Sequence, residues 1–410
     1  METMSSSVFE RVRERFPALR AAGDREVFFD NAAGAQVPDE VVDAVREHYA
    51  KRNVQRGGHY ALSRAVDEGI ADARRAIASF LNASSPREIV FGINSTSLIR
   101  MIAEAMRPRF KKGDRVIVTE LDHEANIGAW LRLESSGVEP VFWRVAGGDA
   151  GRLDLDGLSG LLRAGAGRVR LVALPLASNA TGRIVDVAGA ARLAHDAGAL
   201  VFVDAVHYGP HGLIDVQALG ADFLAFSGYK IFGPHIGFLW GRADQLRMLE
   251  PARDFFIPAE APYAFEPGTQ SYEAIAGMAA ALRYLSSLDG SGSLRRAMAH
   301  IRAYEATLSS CLLEKFRSVP GMKIYGDPDP ASVEARVPTF AFRVEGRTCS
   351  AVVETLASLG IHARDGHMYA PRLVRALALD PEDGVCRVSL CHYNTQAEIA
   401  WVAETLRAMM

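Results

Sequence analysis

The sequence predicts an α/β protein, with a mainly parallel sheet in a large domain and a smaller α+β domain at the C-terminal end. Three observations predict it. Short apolar runs alternate with helical stretches from Val27 to about Trp240, the order that βαβ units require. The run 199–203 (Ala-Leu-Val-Phe-Val) is apolar throughout, as a strand covered on both faces is. After Pro262 the alternation stops, and a long helical stretch leads into mixed helices and strands.

In chain order, residues 8–22 have helical periodicity and form part of an N-terminal arm, residues 1–26. The large domain spans 27–262, with strands expected at 88–91, 115–118, 140–142, 169–174 and 200–203, a further short apolar run at 223–226, and helices such as 65–81 and 97–107 between them. A connecting segment, 263–290, carries a long helix at 272–288. The small domain, 291–410, has strands at 339–344 and 384–390. A chain of 410 residues is long enough to bury two cores.

Composition excludes several function classes. Hydrophobic content of 49% and charge of 23% are those of a soluble globular protein. A net charge of −3 gives no electrostatic footing for nucleic acid or an anionic membrane. The apolar runs fall far short of the roughly 20 residues that cross a bilayer. The segment 1–7 lacks the basic-then-apolar pattern of a secretory signal, so a cytoplasmic protein is expected. Cys311, Cys349, Cys386 and Cys391 are scattered without CxxC spacing, which argues against a zinc site or a disulfide framework, and no metal is expected.

The chemistry centres on Asp204, which ends the 199–203 run, and Lys230, in Phe226-Ser227-Gly228-Tyr229-Lys230 after the 223–226 run. At the C-terminal ends of neighbouring strands the two face one crevice, where open α/β sheets bind ligands. A pyridoxal phosphate (PLP) enzyme needs that pair: the lysine for a Schiff base, the carboxylate to keep the pyridine nitrogen protonated. On spacing alone a surface lysine beside a capping aspartate is the simpler reading, and the flanking residues decide against it.

Asn94-Ser95-Thr96-Ser97 follows a strand and opens a helix. It reads as a phosphate site at a helix N-terminus or as a plain N-cap. His123, after the 115–118 strand, can stack on a pyridine ring, shuttle protons, or sit hydrogen-bonded in a loop. Asp122, His123 and Glu124 do not point at one metal ion. Asn179 can bond the phenolic oxygen of PLP or simply serve a turn. His207 can approach the same oxygen or cap a helix.

The chain resembles class V aminotransferase-type PLP enzymes of fold type I, in the cysteine desulfurase and selenocysteine lyase branch. The matching residues run from Phe29-Asp30-Asn31-Ala32-Ala33-Gly34 and Arg56-Gly57-Gly58-His59 through Asp122-His123-Glu124-Ala125-Asn126, Ser178-Asn179-Ala180-Thr181-Gly182, Val203-Asp204-Ala205 and Phe265-Glu266-Pro267-Gly268-Thr269 to Arg364-Asp365-Gly366-His367 and Cys386-Arg387-Val388-Ser389-Leu390. The resemblance implies PLP as cofactor, Lys230 as Schiff-base lysine and base at Cα, and Asp204 under the ring nitrogen. It implies His123 on the ring and Asn179 near the phenolic oxygen, while His207, a candidate cofactor contact, stands where the family usually has Gln. Ser95, Thr96 and Ser227 would hold the phosphate, with Thr269 reaching it from the second subunit of a homodimer. Arg387 would clamp the carboxylate of an amino-acid substrate, with Gly34, His59 and Arg364 as further substrate contacts.

One departure redirects the chemistry. Desulfurases of this type place a nucleophilic cysteine where this chain has Tyr369, and a phenol with a pKa of about 10 cannot take up sulfur as a persulfide. Expulsion of a thiolate from Cβ needs no protein nucleophile. The expected activity is therefore a C–S β-lyase on an S-substituted L-cysteine, with Tyr369 among the catalytic contacts. An aminotransferase or a decarboxylating or oxidative deaminase is the alternative.

Overall fold

The computed structural model describes residues 9, 11–146, 148 and 151–409; residues 1–8 of the expected arm lie outside them. The strands in the first part of the chain are β1 (Val27–Phe28), β2 (Ile89–Gly92), β3 (Arg115–Thr119), β4 (Glu139–Trp143), β5 (Val169–Pro175), β6 (Leu200–Asp204), β7 (Phe223–Ser227) and β8 (Gly237–Gly241). Those in the second are β9 (Met322–Tyr325), β10 (Thr339–Val344), β11 (Ile361–His362), β12 (Arg364–Gly366) and β13 (Val385–Ser389).

A seven-stranded sheet in the order β2-β8-β7-β6-β5-β3-β4 forms the centre. From β4 to β7 the pairs are parallel, as the alternating pattern predicts. Strand β8 runs antiparallel to both β2 and β7 and is not among the expected strands. Its glycine ends weaken the local strand signal, and pairing on both sides fixes it. Gly237 has a tertiary reason: a Cβ there would lie 2.3 Å from the Asn94 carbonyl carbon. Only glycine lets β8 pass the turn that starts the helix Ser95–Met106.

Successive strand residues point to opposite faces and enter two cores. Ile117, Val172, Val201, Val203, Leu224 and Phe226 pack on one side with the helices Ala61–Phe80 and Tyr272–Ser287. Val116, Val118, Leu171, Phe202 and Phe223 pack on the other with Ser95–Met106 and Glu124–Leu131. Each fully buried side chain of this size contributes roughly 1.5–3 kcal/mol.

A second, antiparallel sheet has the order β12-β13-β10-β9. The helices Leu294–Arg317 and Gln396–Ala408 cover it through Leu308, Leu312, Phe316 and Val402 against Phe340, Phe342 and Val388. Val27 and Phe29 share that core, and β1 pairs with β11. The chain thus passes through the C-terminal layer before it builds the central sheet, and Asp30 bridges to Ser389 on the way. Among the described residues no helix is long and apolar enough to cross a membrane.

Candidate active site

A cavity of about 420 Å³ opens at the C-terminal ends of β5, β6 and β7. Asp204 is the last residue of β6, Ser227 the last of β7, and Lys230 ends the short 3-10 turn Gly228–Lys230 that follows. Ser95, Thr96, His123, Asn179, Asp204, His207, Lys230, Arg364, Tyr369 and Arg387 all line this cavity, from segments far apart in sequence. Ser227 is buried beside it, its Oγ donating to Ser95 Oγ at 3.0 Å. Gly34 lies in an adjoining recess with Asp30 and Arg364.

Two expected residues stand apart. His59, expected among the substrate contacts, is exposed and does not line the cavity of its own chain. Its loop is held away by Asp67, which accepts from Arg56 Nε and Gly57 N at 2.9 Å each. Thr269 is exposed as well, accepting from Gln55 Nε2 at 3.3 Å.

Burial sets the electrostatics. Lys230 Nζ donates to the Ala32 carbonyl. Burial, with Arg387 adding to it, lowers its pKa from 10.5 to about 7. The Asp204 carboxylate accepts from Val206 N at 2.9 Å, and burial raises its pKa to about 6. His123 accepts from Ala125 N at 3.0 Å through Nδ1, which leaves the proton of the neutral ring on Nε2. Burial and the cations Lys230 and Arg387 push it down to about 4, so it is neutral at pH 7. His207 Nε2 pairs with Thr339 Oγ1 at 3.0 Å, and burial keeps that ring neutral too.

The loop carrying Tyr369 is pinned in a costly conformation. Met368 and Tyr369 both have left-handed backbones, with φ of 52° and 57°. Asn179 Nδ2 donates to Met368 O at 2.6 Å, and Glu124 N to Tyr369 O at 2.9 Å. The Tyr369 ring thereby stands 5.4 Å from that of His123. Asn179, expected to donate toward a ligand oxygen, commits one of its two amide N–H groups to this loop, and its Oδ1 is buried without a partner among the described residues.

Two residues escaped the sequence reading of the site. Asp122 lines the cavity fully buried, accepting from His123 N at 2.8 Å and from Asn126 Nδ2 at 2.6 Å. Burial and the nearby Asp204 hold its carboxyl well above the usual range. The i, i+4 spacing of Asp122 and Asn126 across a helix start was its available signal. Asp30 accepts from Arg387 Nη2 at 3.0 Å and from Arg364 Nε at 2.8 Å. Its partners lie more than 330 residues away, beyond any local signal.

The donor set fits a phosphorylated pyridine aldehyde. Asn94 caps Ser97 N, and the first turn of its helix presents further N–H groups with the Ser95 and Thr96 side chains, a site for a phosphate. Asp204 is a buried carboxylate with one backbone donor, completed by a protonated ring nitrogen. Lys230 is a buried amine of lowered pKa suited to a carbonyl. Arg387 gives Nη1 to Asn179 O at 2.9 Å, and its buried Nε has no partner among the described residues.

The Lys230 shift makes a stability prediction. Between pH 7 and 10.5 the unfolded chain holds a proton that the folded cofactor-free protein does not, so stability rises with pH across that window. Lys230→Met removes this slope. The variant is expected to be more stable than wild type at pH 7, by on the order of a few kcal/mol, with the gap closing toward pH 10. Denaturant melts of both apo proteins across that range check it, and parallel curves would refute it.

Residues 27–402 match the profile of the family described as Aminotransferase class-V. The chain is 35% identical over 418 residues to the Aminotransferase-like protein FGM3 of Gibberella zeae, covering 99% of this chain and 100% of that one. It is 35% identical over 410 residues to a cysteine desulfurase of an Enterobacter species, covering 95% of each. Among solved structures, the apo cysteine desulfurase of Thermococcus onnurineus NA1 superposes with a TM-score of 0.89 at 28% identity, over 100% of this chain and 99% of that one.

Proposed function

We propose, from the premise that this chain belongs to the aminotransferase class V family and is a PLP-dependent enzyme of fold type I, that it is a C–S β-lyase for an S-substituted L-cysteine. It would release a thiol, pyruvate and ammonia. The observation that carries this reading is the absence of a thiol from the cavity among the described residues, with Tyr369 in its wall. Cys386 and Cys391 are fully buried; the hydrogen bond with Cys349, then burial, pushes the Cys386 thiol up and burial pushes up that of Cys391, away from the thiolate a persulfide needs.

Bound PLP supplies an electron sink for the bond broken at the substrate Cα. The chain's own residues do the rest. Ser95, Thr96, Ser227 and the helix N-terminus bind the phosphate, and Asp204 holds the proton of the ring nitrogen. Lys230, its pKa already lowered to about 7, is a base for the Cα proton at neutral pH. Arg387 offers its unpartnered Nε to the substrate carboxylate. His123 can hydrogen-bond the departing sulfur through its Nε2–H, and the proton that Lys230 takes from Cα is the one available to the thiolate. Tyr369, with 65% of its surface exposed, stands at the mouth where an S-substituent leaves the cavity. The proposed unit is a cytoplasmic homodimer in which Thr269 reaches the partner's phosphate site.

Similarity to an aminotransferase-like protein supports a second reading, transamination or deamination. Product analysis of the PLP-loaded enzyme with bulky cysteine S-conjugates, without reductant, separates the two. Equal pyruvate and free thiol are expected. Keto acid or aldehyde that still carries the sulfur would overturn the lyase.

A further inference from the structure

We infer that Asp30 is a positioning residue that sets the charge of the carboxylate-binding corner and so restricts the enzyme to α-amino acids whose side chains bear no second negative charge. The inference rests on Arg387 as the receiver of the substrate carboxylate. Asp30 Oδ1 accepts from Arg387 Nη2 at 3.0 Å, and Oδ2 from Arg364 Nε and Nη2 at 2.8 Å each. Two guanidinium groups thus share one carboxylate. The array keeps a single positive charge, which one α-carboxylate neutralises. A second anion on the substrate then finds no uncompensated charge there.

The backbone that carries Asp30 is held in place beside the arginines. It bridges to Ser389. The next residue, Asn31, donates to Ser389 O at 2.8 Å and to Asn394 Oδ1 at 3.0 Å. Ala32 N donates to Ser389 Oγ at 2.7 Å, and the Ala32 carbonyl receives Lys230 Nζ. One short buried segment therefore fixes both arginines and the lysine. Asp365, next to Arg364 on β12, and Lys230, in the cavity with both arginines, are the other charged groups that interact with this array. Side-chain exposures of 4% for Arg387, 20% for Asp30 and 49% for Arg364 leave the array desolvated at Arg387 and open to solvent at Arg364. One unit of charge there shifts binding by about tenfold.

The test uses PLP-loaded enzyme and the visible absorbance of the bound cofactor to titrate two isosteric ligands, S-(carbamoylmethyl)-L-cysteine and S-(carboxymethyl)-L-cysteine. Wild type is expected to bind the uncharged conjugate about tenfold tighter. Asp30→Asn should erase or reverse that preference, Asp30→Glu should restore it, and Arg364→Gln should widen it. Opposite shifts from the two partners are not what a general loosening of the fold produces. Equal wild-type affinities, or a ratio that neither Asp30→Asn nor Arg364→Gln moves beyond threefold, would overturn the inference. If Asp30→Asn does not fold, the Arg364→Gln ratio decides alone. Arg387→Ala tests the underlying reading separately: it should weaken both conjugates and spare their decarboxylated cysteamine analogues. Equal losses for the analogues, or no binding of either conjugate to wild type, would refute the carboxylate site itself.

Discussion

Lys230→Ala is expected to lower turnover by about 10³-fold or more and to remove the visible absorbance that marks covalently held cofactor. The size of the effect follows from two jobs meeting in one atom. Nζ is the amine that can hold the cofactor's carbonyl, and it is the base of lowered pKa nearest the crevice, set there by burial and by Arg387. His123 and His207, both kept neutral by burial, cannot replace an amine as a carbonyl partner. Added methylamine should recover part of the proton-transfer rate without restoring the covalent hold. Spectra and single-turnover rates of the purified variant check both points. Full absorbance at wild-type intensity would refute the assignment of Lys230.

How much of this was legible in the sequence depended on the range of the interaction. The 116–118 stretch of β3 and the strands β6 and β7 were readable because strands buried on both faces are apolar without interruption. Strands β4 and β5, with exposed Glu139 and Arg170, were readable from their alternation with helices. Asp204 was readable because it ends an uninterrupted apolar run, and Lys230 because it closes the Ser-Gly-Tyr-Lys stretch that follows another. The helix of the phosphate site begins at Ser95 rather than at the expected 97, because Asn94 caps it. Strand β8 was hidden by glycines whose purpose, clearance for the Asn94 turn, is tertiary. Asp30 sat inside a quoted motif without a role, since its partners Arg364 and Arg387 arrive only when the C-terminal sheet folds back. His59 shows the converse. Its motif matched, yet local bonds to Asp67 hold its loop outside the cavity of its own chain.

Asp204→Asn should retain bound cofactor, because Lys230, Ser95, Thr96 and Ser227 are untouched, yet turnover should fall by about 10²–10³-fold. The amide keeps the shape and the bond from Val206 N, which is 2.9 Å from Oδ1, and loses only the charge that keeps a ring nitrogen protonated. Retained absorbance with lost turnover thus separates this residue from Lys230, where both go together. The same carboxyl leaves a mark on the cofactor-free protein. Its pKa is raised from 3.8 to about 6, so across that window the folded chain holds a proton that the unfolded chain has released. Stability from this group is therefore lost as pH rises from 3.8 to 6, and the asparagine variant should lack that component of the slope. Cofactor that neutralises the buried charge should cancel the same component in wild type. Turnover within threefold of wild type in Asp204→Asn would show that the ring-nitrogen proton is held by some other group, and Asp122, buried in the same wall, would be the residue to replace next.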